Sequence, residues 1–207
     1  MTETQALVST RRRWVILAAS LLAAMATACV VSGVAFLIPE LHREAMTLSA
    51  ASLLAAAPMV GLLCTTIPWG WALDRWGERE ILLISLSITV VTTIATVVAS
   101  ATGRSFVVIG LLLAASGAAA ASTNGASGRI VVGWFPPEQR GAAMGIRQTA
   151  QPLGVGVCAM TVPALAQSHG VTAGFVVFAV VAACALVATA AVITDPPGRE
   201  PARVSTG

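Results

Sequence analysis

Charge is spread along this 207-residue chain in a way that leaves few architectures open. Arg, Asp and Glu gather in short clusters, and between them run charge-free stretches of roughly twenty or more residues. A helix rises about 1.5 Å per residue, so roughly 20 apolar residues cross the hydrocarbon of a bilayer. Only 10% of the residues are charged and 57% are hydrophobic, with a mean hydropathy of +0.85. A soluble domain carries about a quarter charged residues, so too little polar material is present here to cover a water-facing surface. In lipid, helices are the open-ended way to satisfy every backbone hydrogen bond. The pattern therefore predicts an all-α membrane protein.

Six transmembrane helices emerge, at residues 14–38, 48–73, 81–101, 105–134, 141–166 and 171–193. Pro39-Glu40 closes the first, and Thr47 is a natural N-cap for the second. The connections are short, so neighbouring helices run antiparallel and pack as one bundle over residues 14–193. Residues 1–13 form an N-terminal tail. Residues 194–207 (Asp195-Pro-Pro-Gly-Arg-Glu-Pro within them) cannot continue a helix and read as a flexible tail or an interdomain linker. Arg11-Arg12-Arg13 before an apolar run resembles a secretory signal, and Ala28-Cys29 faintly resembles a lipoprotein cleavage site. The run continues to Ile38, past signal length, and reads as a retained first span.

Orientation follows from the Arg residues, since no Lys is present. One set of span ends holds Arg11, Arg12, Arg13, Arg75, Arg79, Arg140, Arg199 and Arg203, and the opposite set holds only Arg43 and Arg104. The Arg-rich side is expected to be cytoplasmic, with both termini on it and the chain in the cell's inner (plasma) membrane.

The net charge of +3 is no nucleic-acid footprint, because the Arg residues sit at span ends rather than on one basic face. Cys29, Cys64, Cys158 and Cys184 all fall in apolar runs without a CxxC or a nearby His, and read as small packing residues, with neither a metal site nor a disulfide framework. His42 and His169 fall in loops with no Cys or carboxylate arranged around them. No catalytic constellation, cofactor site or metal site is expected, and the chain does not read as an enzyme.

A faint internal repeat is present. Pro58-Met-Val-Gly-Leu-Leu-Cys64 in the second span and Pro152-Leu-Gly-Val-Gly-Val-Cys158 in the fifth share their Pro-to-Cys spacing, each near mid-span. The two spans cross in opposite directions, which fits an inverted three-plus-three repeat. The sharpest local signal lies between the second and third spans: Gly70-Trp-Ala-Leu-Asp74-Arg75-Trp-Gly77-Glu-Arg79-Glu80. Gly70 would let two helices approach closely, and Gly77 suits a positive-φ turn. Asp74 can face the positive end of a neighbouring helix, while Arg75 and Arg79 can hold carbonyls at helix C-terminal ends or lipid phosphates.

This stretch resembles the signature of the major facilitator superfamily, Gly-x-x-x-Asp-Arg/Lys-x-Gly-x-Arg/Lys-Arg/Lys, departing only at Glu80. A second resemblance covers Gly133-Trp-Phe-Pro-Pro-Glu-Gln-Arg-Gly141 and Met144-Gly-Ile-Arg147-Gln-Thr-Ala-Gln-Pro-Leu-Gly154. The resemblance runs over nearly the whole chain but covers half of the family's usual twelve helices. It implies the N-terminal six-helix half of a secondary transporter, a gating role for Gly70, Asp74, Arg75, Gly77 and Arg79, and a cavity lined by the first, second, fourth and fifth spans. The Arg that the family often carries early in the fourth span is absent, since Phe106-Val-Val-Ile-Gly-Leu-Leu-Leu is apolar.

No Asp or Glu lies clearly inside a span, yet several polar residues do. Ser116, Thr123, Ser127 and Asn124 form a stripe on the fourth span with Arg129 beyond, and Arg147, Gln148 and Gln151 cluster on the fifth. Asn124, Arg147, Gln148, Gln151 and Arg129 are the candidate cavity residues. Both cations have a competing reading, in which they snorkel to the headgroups. A cavity with fixed positive charge favours a small organic anion. The expected partners are membrane lipid, that substrate, and a second six-helix half or a second copy for alternating access. The rival to transport is a membrane scaffold subunit built on a degenerate transporter half. Topology is directly measurable: reporter fusions after Arg43, Gly103, His169 and Gly207 should read outside, outside, outside and inside, and a C-terminal fusion reading outside overturns the orientation.

Overall fold

The computed structural model describes residues 10–44 and 46–194, so residues 1–9 of the tail expected at 1–13 and residues 195–207 of the tail expected at 194–207 lie outside the described residues. Six helical spans, each long and apolar enough to cross a membrane, make up the described chain. The first is built from α1 (Thr10–Ser32), a 3-10 segment (Gly33–Leu37) and α2 (Ile38–Arg43). Pro39 does not close this span. It occupies the first turn of α2, where its missing N–H would be unpaired anyway, and the helix runs on to Arg43.

The second span is α3 (Leu48–Trp76), whose first turn is capped as expected, with Thr47 Oγ1 accepting from Ala50 N at 3.3 Å. Gly77, at φ 92°, is the whole connection to the third span, α4 (Glu78–Ala101). The fourth span is split into α5 (Phe106–Ala120) and α6 (Ser122–Trp134), interrupted at Ala121. Phe135 and Pro136 are extended, and Pro137 opens the fifth span, which is also split, into α7 (Pro137–Gln148) and α8 (Ala150–His169) around Thr149. The fifth helix thus begins four residues before the expected Gly141, because Pro137 suits a first helical turn. The sixth span is α9 (Val171–Val192).

Close approach between spans depends on small residues. Gly117 of α5 lies under the Pro58 carbonyl of α3, and Gly61 of α3 lies against the Ala114 carbonyl of α5. In the fifth span, Gly154 lies against the Met25 carbonyl of α1. The second span therefore packs on the fourth as the fifth packs on the first, which is the pairing an inverted repeat implies. The third span completes the set by packing on the sixth, with Ser100 and Thr172 hydroxyls bonded at 2.7 Å. The small-residue run Gly117–Ser122 acts as close packing, as its composition suggests: Thr65 Oγ1 and Trp69 Nε1 of α3 both donate to the Ala118 carbonyl at 2.7 Å.

Two further expectations are overturned. Cys29 and Cys158 are a disulfide between the first and fifth spans, with Cα atoms 5.9 Å apart, rather than separate packing residues. Gly154 brings α8 close to α1, and Gly33 leaves room beside the Cys158 sulfur, so the partners meet across 129 residues of sequence. Cys64 and Cys184 are free thiols. Gly70 makes no close approach either, because a Cβ there would meet nothing within 4 Å. The contact that Gly70 was expected to make is made by Gly61 and Gly117.

These glycines separate cleanly by experiment. Gly117→Val drives a side chain into backbone and should destabilise by about 1–3 kcal/mol or more, lowering the thermal midpoint of the detergent-solubilised protein. Gly70→Ala should leave that midpoint unchanged.

Candidate functional site

A cavity of about 180 Å³ lies among four spans. Ala24, Thr27, Ala28, Val31 and Ser32 of the first span form one wall, Met59 and Leu62 of the second another. Asn124 of the fourth span and Arg147, Gln148, Ala150 and Gln151 of the fifth supply the polar side. The third and sixth spans contribute nothing to it. The helix breaks explain the position of this polar patch. α6 begins just after Ala121 and α7 ends just before Thr149, so both interruptions fall at the level of the cavity.

Arg147 lies ten residues into the fifth helix, roughly 15 Å from Pro137 along the axis. Its guanidinium turns inward to the fourth span rather than out to the headgroups. Nε donates to Ser127 Oγ at 2.9 Å and Nη2 to the Asn124 carbonyl at 2.7 Å. Nη1 reaches Gln148 Oε1 at 3.3 Å, with Met144 sulfur more distant. No carboxylate among the described residues lies within ion-pair distance of it.

Arg129, placed by the sequence among the cavity residues, is not in the lining. Its Nη2 lies 2.6 Å from Asp74 Oδ1. Five residues short of the end of α6, it sits close enough to the Arg-rich end to meet the loop after the second span. Asp74 therefore faces a side-chain cation from the fourth span. Both partners are well exposed, at 37% and 67%, so the pair contributes about 0–1 kcal/mol.

The rest of the signature loop has a defined structure. Arg79 Nε donates to the Ile193 carbonyl at 2.9 Å, the helix-end role expected for it. Among the described residues Arg75 bonds no carbonyl. It lies over the rings of Trp71 and Trp76, 5.7 and 5.9 Å from their centroids. Glu80 stands with Glu78 in the first turn of α4, where an acidic side chain complements the positive end of the helix. That accounts for an acid at the one position where the signature departs.

The polar stripe on the fourth span divides between two surroundings. Ser116 Oγ donates to Thr92 Oγ1 of the third span at 3.0 Å, away from the cavity, while Ser127 supports Arg147. Thr123 is fully buried, with no hydrogen-bond partner for its hydroxyl among the described residues. Thr27, in the cavity wall, was missed by the sequence reading, and it was visible only as one of few hydroxyls in the first span.

Beside this geometry stand the comparisons with known proteins. The family model of the Major Facilitator Superfamily matches residues 10–207. The chain belongs to this family. It is 44% identical over 194 residues to an uncharacterized MFS-type transporter of Mycobacterium tuberculosis, found in two strains. That match covers 93% of this chain and 42% of the relative, so the chain spans about two-fifths of the length of the curated relatives it matches. Its fold is similar to the crystal structure of the POT family transporter PepTSo, with a TM-score of 0.66 and 16% identity over 93% of this chain and 40% of that one. The facilitator fold over one six-helix bundle is thus shown on three grounds, and the chain is a multi-pass membrane protein.

In this facilitator chain the Asp74–Arg129 pair can be weighed by a double-mutant cycle. Asp74→Asn, Arg129→Gln and the combination should show a coupling of about 0–1 kcal/mol in thermal or denaturant unfolding. A coupling of several kcal/mol would show the pair to be far less hydrated than its exposure implies.

Proposed function

We propose that this chain is one six-helix half of a membrane transporter that moves a small organic anion by alternating access against a second six-helix bundle. On this reading it lies in the plasma membrane with both termini cytoplasmic. Membership of the facilitator family supports transport rather than catalysis. The chain's two-fifths share of its relatives' length supports a second bundle as partner.

The observation that carries the anion assignment is Arg147. A guanidinium held inside a bundle is costly, by about 3 kcal/mol upward, unless it is paired or wetted. Here it is anchored by two neutral acceptors of the fourth span and has no carboxylate partner among the described residues. An anion entering the cavity supplies the missing charge. Arg can grip a carboxylate through two parallel hydrogen bonds; Nε is committed to Ser127, and Nη2 and Nη1 each already give one bond, to Asn124 and Gln148, so a carboxylate draws on the second hydrogen of each Nη. Asn124 and Gln151 add neutral donors and acceptors around it. The loop from Gly70 to Arg79 acts at the Arg-rich end, where Gly77 sets the turn, Asp74 holds the fourth span and Arg79 the end of the sixth.

Co-expression with the part of the M. tuberculosis relative that this chain does not cover supplies a second bundle. Reconstituted vesicles should take up small carboxylates in preference to organic cations. Arg147→Ala should cut that uptake at least tenfold with membrane levels unchanged. Asp74→Asn should impair uptake much more than insertion. Preference for cations, or anion uptake undiminished in Arg147→Ala, would rule out the Arg-lined site.

A further inference from the structure

A second cavity, of about 300 Å³, lies at the Arg-poor end of the bundle and shares no lining residue with the first. It is set between the end of the first span, the turn from the third span to the fourth, and the start of the sixth. Leu41, Leu54, Ile109 and Phe175, all buried, give it an apolar floor. Phe106, 47% exposed, belongs both to the lining and to the outer surface of α5. Two charged residues join the lining, Glu44 and Arg104.

These two charges are opposite, share one cavity and are not paired. Arg43, the other Arg at this end, is taken by Glu40 at 2.9 Å rather than by Glu44. Among the described residues the side chains of Glu44 and Arg104 make no hydrogen bond or ion pair, with each other or with any neighbour. The helix ends favour the same arrangement of charge. Glu44 is the C-cap of α2, at the negative end of the first span, where a cation is stabilised. Arg104 directly precedes Ser105, the N-cap of α5, whose side chain leaves the first-turn N–H groups uncapped, and an anion is stabilised there. A ligand for this cavity therefore carries one positive and one negative group together with apolar bulk.

We propose that the cavity binds one phospholipid whose zwitterionic headgroup ends in a primary ammonium, as in phosphatidylethanolamine. Its phosphate meets Arg104 at the start of α5, its ammonium donates to the Glu44 carboxylate, and the first carbons of its chains cover the apolar floor and Phe106. The space suffices for such a headgroup, since at about 30 Å³ per water it equals about ten waters. Span ends lie at the depth of the headgroups, which favours a lipid over a soluble zwitterion. A trimethylammonium headgroup has no N–H to give Glu44. A glycerol headgroup brings no cation and sets its phosphate against that carboxylate.

The test is native mass spectrometry of the purified chain, titrated with phosphatidylethanolamine, phosphatidylcholine and phosphatidylglycerol of identical chains. An exposed ion pair changes affinity by roughly 1.5–5-fold, so one phosphatidylethanolamine should bind tighter than either of the others by about that factor. Glu44→Gln removes both the acceptor for the ammonium and the repulsion of the phosphate, so the preference over phosphatidylglycerol should collapse toward unity. Arg104→Gln should weaken phosphatidylethanolamine by a similar factor, and Arg104→Lys, which keeps the cation, should weaken it less. Both side chains are exposed, so these variants should fold, and the wild-type ratios stand without them. Equal affinity for the three lipids overturns the site, as does a preference for phosphatidylethanolamine that neither Glu44→Gln nor Arg104→Gln reduces. Glycerophosphoethanolamine, the same headgroup without chains, should not displace the lipid at equal concentration. Displacement would make the occupant a soluble zwitterion and overturn the lipid assignment. The readout does not involve Arg147, so this site and the anion site stand or fall separately.

Discussion

A helix in lipid must find a partner for every backbone carbonyl it frees, because no water is there to take the bond. Much of this bundle is organised by how that demand is met. The fourth span breaks at Ala121, and the second span answers with a hydroxyl and an indole N–H aimed at Ala118. The sixth span ends at Val192, and Arg79 comes from the first turn of the third span to bond the next carbonyl, at Ile193. Arg140 folds back over the Pro136–Pro137 corner to bond Phe135. Many hydroxyls in the spans bond back to a carbonyl of their own helix, as Thr89, Thr93 and Thr96 do, while a smaller set that includes Thr65, Trp69, Ser116, Ser122 and Arg147 fastens one span to another.

The same demand explains how much of the fold was legible in the sequence. Charge-free runs of bilayer length and short connections suffice to fix six helices and their alternation, since a helix satisfies its own backbone over a continuous run of that length and a barrel strand needs only about 9–11 residues. Thr47 and Gly77 announced their cap and turn because Thr at an N-cap and Gly at positive φ are local requirements. The helix ends moved wherever proline sat in a first turn, at Pro39 and Pro137, because a proline that stops one helix also starts the next. The breaks at Ala121 and Thr149 were not legible: neither residue is a helix breaker, and the cause at Thr149 is a proline three positions on.

The site was legible in its composition and less so in its geometry. Arg147, Gln148 and Gln151 form a periodic cluster in an apolar span, and Asn124 stands out in the fourth for the same reason, so a cavity could be expected there. What divides Arg129 from Arg147 is tertiary. Arg129 finds an acid 55 positions away, on a helix whose register against its own no pattern reveals, whereas Arg147 finds only neutral acceptors. The misreading of Gly70 and the missed Cys29–Cys158 link have one origin. Both depend on which small residues face another backbone, and sequence shows small residues without showing what they face.

One short helix joins the two regions that the sequence singled out. α6 has 13 residues, and its first turn accepts from Arg147 at the cavity while Arg129, two residues beyond Ser127, holds Asp74 of the signature loop. The Pro136–Pro137 corner ties its far end to α7, which carries Arg147 itself. α6 therefore carries on one short element both the carbonyl that takes Arg147 at the cavity and the cation that meets Asp74, so the cavity wall and the signature segment are built on the same 13 residues.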